Sequence, residues 1–78
     1  MSSGKNLFPR ELAVLRELTK GLGNIEIART LGIAEAAVHV HLKSLLKKIG
    51  AEHRAQAAIW AAENDIGEVG FGERGQAV

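Results

Sequence analysis

The stretch "LGIAEAAVHV", residues 31–40, joins two helical patterns through only Gly32, Ile33 and Ala34. Before it, "NIEIARTL" places Ile27, Ala28 and Leu31 on one side of a helix of about two turns. After it, a longer helix is predicted from Glu35 to Ile49, closed by Gly50. Two helices joined by so short a glycine-containing turn form the helix-turn-helix arrangement. By spacing alone, a plain helical bundle with tight turns remains open.

The flanking segments are helical too. In "PRELAVLRELTKG" the proline suits a first helical position. Leu12, Leu15 and Leu18 recur with Val14 alongside, predicting an amphipathic helix from Pro9 to Lys20, closed by Gly21. Phe8, not a Ser, Thr, Asp or Asn, stands immediately before Pro9 and is expected to pack its apolar surface against the start of this helix. "HRAQAAIWAAEN" predicts a fourth helix from Arg54 to Glu63. There is no strand-like alternation and no repeat. The fold class expected is all-α, a four-helix helix-turn-helix domain over residues 7–65. Residues 1–6 read as a flexible lead-in and 66–78 as a flexible, acidic, glycine-containing tail. A chain of 78 residues, 46% hydrophobic, can form one small domain with a modest core.

Composition removes several function classes. Without cysteine there is no disulfide framework and no thiolate metal site, which fits a reducing cytoplasm. No apolar run approaches the roughly 18 residues that span a bilayer, and "MSSGKN" is too polar for a secretory signal. A cytoplasmic chain without a membrane partner is expected. The net charge of +1 hides an asymmetry. Glu63, Asp65, Glu68 and Glu73 face only Arg74 in residues 63–78, so residues 63–78 carry −3 and residues 1–62 carry +4. No Ser/His/Asp set, phosphate-cradling loop or paired carboxylate is present, so no enzyme and no cofactor are expected.

The third helix carries the chemistry. At about 100° per residue, Val38, Leu42, Leu45 and Ile49 fall within about 60° of each other and form the buried stripe, with Leu46 at its edge. His39, Lys43 and Lys47 line a different face, flanked by Val40 and Ser44. His39 and His41 are two residues apart and diverge by about 200°, so they cannot share a metal. Glu35 lies four residues before His39 but gives a single pair, and no metal site is expected. A solvated face explains isolated lysines. A cationic face directly after a tight helix-helix turn has the geometry of a recognition helix. Lysine and histidine donors can reach guanine N7 and O6 in the major groove, and Val40 can meet a thymine methyl. Cations toward the far end, Lys47, Lys48 and Arg54, can neutralise phosphates.

The segments "PRELAVL", "KGLGNIEIA", "LGI", "VHVHLKSLLKKIG" and "HRAQAA" resemble, in order and without a gap, the LuxR/FixJ (GerE-type) DNA-binding domain. The resemblance covers residues 7 to about 63 and is specific. "KSLLKKIG" and "AAIW" are similar to members that serve as output domains of two-component response regulators. It implies a scaffold second helix, a third helix in the major groove and a dimer through the fourth. It also implies a transcriptional regulator bound to double-stranded DNA, in contact with RNA polymerase, with any small-molecule ligand bound outside this domain. Carried over, His39, Val40 and Lys43 face bases, and Asn24, His41, Lys47, Lys48 and Arg54 face phosphates. The dimer interface falls on Ala57, Ala58, Trp60 and Ala61.

Where that family carries hydroxyl residues, this chain has Phe8, Gly23, Ala34 and Ala37. Each Ser or Thr cap replaced by alanine costs about 0.5–2 kcal/mol, and glycine less. Weaker, more salt-sensitive binding is therefore expected. The lost hydroxyls also sustain an alternative: a protein-interaction or dimerisation module that has lost strong DNA binding. Arg10 and Glu11 are expected in structural ion pairs, and Trp60 either in the core or as an interface anchor.

Overall fold

The structure, a computed structural model, describes residues 7–66. The lead-in 1–6 and residues 67–78 of the expected tail lie outside the described residues. Four helices follow in order: α1 Pro9–Thr19, α2 Asn24–Leu31, α3 Glu35–Ile49 and α4 Arg54–Glu63. α1 packs against both α3 and α4, and α2 packs chiefly on α3. Leu15 and Leu18 of α1, Ile27 of α2, and Val38 and Leu45 of α3 meet in one core that Ala57 and Ala61 of α4 complete. The all-α class is therefore the observed one.

The α2–α3 turn has a specific cause. Gly32 takes the left-handed conformation, φ 70°, which a side chain would disfavour. The Ile33 N–H then donates to the Ala28 carbonyl at 3.0 Å, a Schellman closure. Gly50 repeats the device at the end of α3, with φ 76° and the Ala51 N–H on the Leu46 carbonyl at 2.9 Å. The first closure ends α2 and sets the turn, and the second ends α3.

Two expectations about α1 are corrected. Phe8 does not cover the start of the helix; it is 66% exposed, and Leu7 enters the core instead. Nor is the helix start uncapped. The third-residue carboxylate of Glu11 accepts the Phe8 N–H at 2.8 Å, half of a capping box. Glu26 does the same for the Gly23 N–H at 3.3 Å, so the glycine before α2 is partly compensated. Ala34, before α3, makes no side-chain cap.

Candidate nucleic-acid interface

The turn and the α2 packing present one face of α3 outward. Val38, Leu42 and Leu45 are buried on the inner side. His39, Val40, Lys43 and Lys47 are exposed, and Val40 at 64% is an apolar side chain held in water. Lys43 and Lys47 form no ion pair among the described residues. Glu35 in the first turn and Lys47 and Lys48 in the last complement the helix dipole. The result is a helix with one exposed valine and two lysines without ion pairs among the described residues along one side, the chemistry that base edges and phosphates require.

Beside this face runs a polar chain across three helices. Arg54 at the start of α4 donates from one terminal nitrogen to Asn24 Oδ1 at 2.9 Å and from the other to the Leu22 carbonyl at 3.0 Å. Asn24, the first residue of α2, places its Nδ2 3.1 Å from His39 Nε2. Two residues expected on phosphates and one expected on a base thus meet through their side chains. Arg54 is half-buried, and its contacts lock α4 to the start of α2.

Lys48 sits differently. Its Nζ lies 2.8 Å from Glu11 Oε1 and 3.7 Å from the centre of the Phe8 ring. Ser44 donates to the other Glu11 oxygen, and so turns inward rather than flanking the outer face. Burial raises the pKa of Glu11, but the hydrogen bonds from Lys48, Ser44 and the Phe8 N–H outweigh it, and the carboxyl is held below the usual value. Glu11 therefore has the structural ion pair expected of it. Arg10 has none among the described residues. His41 is half-buried, while Arg29 is exposed.

On α4 the expected dimer residues divide. Ala57 and Ala61 are fully buried inside the domain, so neither can contact a second copy. Ala58 and Trp60 are half-buried against the same core. The side turned to water instead shows Ala55, Ile59 and Ala62, with Ile59 59% exposed. In the sequence nothing separates Ile59 from its neighbour Trp60, since both are large apolar residues in an alanine-rich helix.

The family model for "Bacterial regulatory proteins, luxR family" matches residues 5–61. The chain belongs to the luxR family. It is 43% identical over 60 residues to the nitrate/nitrite response regulator protein NarL of Escherichia coli strain K12, covering 77% of this chain and 28% of that protein. It is 47% identical over 58 residues to the CsgBAC operon transcriptional regulatory protein of the same strain, covering 74% and 27%. With the nitrate/nitrite response regulator protein NarP it shares 47% over 53 residues, covering 68% and 25%. The chain thus spans roughly a quarter of the length of the curated relatives it matches. As a luxR-family helix-turn-helix it is a DNA-binding domain of the kind found in transcriptional regulators. No described helix is long and apolar enough to cross a membrane.

Proposed function

We propose that this luxR-family domain reads DNA sequence-specifically as the output domain of a two-component response regulator, bound as a dimer. The observation that carries the reading is the outer face of α3, where Lys43 and Lys47 lack ion-pair partners among the described residues and Val40 is exposed. His39, Val40 and Lys43 face bases. Lys47, His41 and Asn24 approach phosphates. Lys48 and Arg54, engaged within the fold, brace the interface rather than supply its main charge. The response-regulator role is supported by the names of NarL and NarP. A cytoplasmic location follows from that role. Contact with RNA polymerase is implied by the family resemblance, with no side chain assigned to it.

Dimerisation is assigned to the outer side of α4. Ile59 is the anchor, with Ala55 and Ala62 small enough for a second helix to approach closely. This replaces Ala57 and Ala61 and keeps Ala58 and Trp60 at the margin.

The test is anisotropy of a labelled duplex titrated at about 50 and 200 mM salt. Two unpaired cations per protomer, Lys43 and Lys47, predict a loss of affinity of about 12-fold across that range. A folded chain that shows no binding at the lower salt defeats the reading. It would favour the interaction module, with the Ile59 face as its contact surface.

A further inference from the structure

The chain Arg54–Asn24–His39 does more than join three helices. A guanidinium carries only donors, so the Asn24 atom facing it must be the amide oxygen. The second Arg54 bond, to the Leu22 carbonyl, holds the guanidinium in that place. Asn24 therefore cannot turn its amide over, and it presents only N–H donors to His39. His39 Nε2 must accept, which leaves the ring proton of the neutral imidazole on Nδ1. That nitrogen makes no hydrogen bond to any described residue, and the His39 side chain is exposed on the outer face of α3.

We propose that Arg54 and Asn24 are positioning residues that set the tautomer of His39, and through it the base His39 selects. The proposal rests on the reading of α3 as the groove helix. Unconstrained neutral imidazole favours the proton on Nε2, which leaves Nδ1 an acceptor. The relay reverses this. His39 offers Nδ1–H to acceptor edges, guanine N7 or O6, adenine N7 or thymine O4, and has no lone pair there for the cytosine amine. Specificity at one base pair is then written in residues of α2 and α4 that need touch no base.

The experiment is a long-range 1H–15N correlation spectrum of the imidazoles in the intact chain at pH 8, where imidazole is neutral. His39 is expected to show the Nδ1–H pattern, and Asn24→Ala to return it to Nε2–H. Asn24→Asp keeps an oxygen for Arg54 but turns an acceptor to His39, so it too moves the proton to Nε2. On duplexes varied at single positions, both substitutions are expected to flatten discrimination at one base pair by about fivefold, the low end of one base contact. An Nε2–H pattern in the unaltered chain overturns the proposal. So does an Nδ1–H pattern with base preference unchanged in both variants. Absence of DNA binding by the unaltered chain would defeat the groove reading instead; the ring spectrum needs no DNA and separates the two failures.

Discussion

Lys47 and Lys48 are neighbours in sequence and differ in what they meet. Lys47 stands on the exposed face of α3 with no ion pair among the described residues. Lys48, about 100° further round, reaches a carboxylate that is 2% exposed and lies against the Phe8 ring. The first is available to a phosphate. The second is consumed in holding α1 to α3. A run of basic residues is therefore not a unit of function: the partner that the fold brings to each ammonium decides its role. The same division separates Lys43, free on the outer face, from Arg54, bound to Asn24 and Leu22.

The largest effect is expected at the inner side of this comparison. Glu11→Ala removes the acceptor of Lys48, Ser44 and the Phe8 N–H together. It should lower unfolding free energy by about 3 kcal/mol, the low end for a broken buried pair because Lys48 keeps some contact with water. Urea titration at neutral pH measures this, and a loss below about 0.5 kcal/mol would mean the pair is worth no more than a surface one. The same carboxyl gives an acid signature. Its folded pKa is lowered, so its contribution is fully present above the ordinary glutamate value, near pH 4.3, and is lost as pH falls through the lowered value. Glu11→Gln should therefore show a shallower loss of stability between about pH 5 and pH 3 than the unaltered chain.

On the outer side, Lys43→Ala should weaken DNA binding by about 1–2 kcal/mol and relax preference at one or two base pairs, while urea midpoints stay put. Equal loss on every duplex would move Lys43 from bases to phosphates. Between the two regions lies the turn. Gly32→Ala meets nothing within 4 Å, so its cost is the left-handed backbone alone, about 1 kcal/mol of stability. An unchanged thermal midpoint would show that Gly32 is not needed in that conformation.

What could be read from the sequence follows from what is local. The glycine stops and the leucine spacing of α1 predict helix limits within a residue of those observed, and the predicted α3, Glu35 to Ile49, is the observed one. The Val38–Leu42–Leu45 stripe was legible because α3 alternates strongly apolar and charged residues. α4 has no such contrast. In "RAQAAIWAAE" a wheel cannot tell a buried alanine from an exposed one, and Ala57 and Ala61, expected at an interface, lie in the core. The polar anchors were illegible for another reason. Glu11 meets Lys48 across 37 positions and Ser44 across 33, and Arg54 meets Asn24 across 30, distances that only the folded packing closes. Charge and the family resemblance, which place Lys48 and Arg54 on phosphates, carry no sign of these contacts. That His39, Val40 and Lys43 share an exposed face of α3 needed only the helical period and the preceding turn.

The most direct test of the division compares Lys47→Ala with Lys48→Ala, each followed by the salt dependence of duplex affinity and by urea unfolding. Lys47→Ala is expected to reduce the salt slope by about one unit and leave stability within about 0.5 kcal/mol. Lys48→Ala is expected to lower stability and leave the slope of the folded protein unchanged. If Lys48→Ala reduces the slope as much as Lys47→Ala and costs no stability, both lysines serve DNA, and the assignment of one to the fold and one to the groove is contradicted.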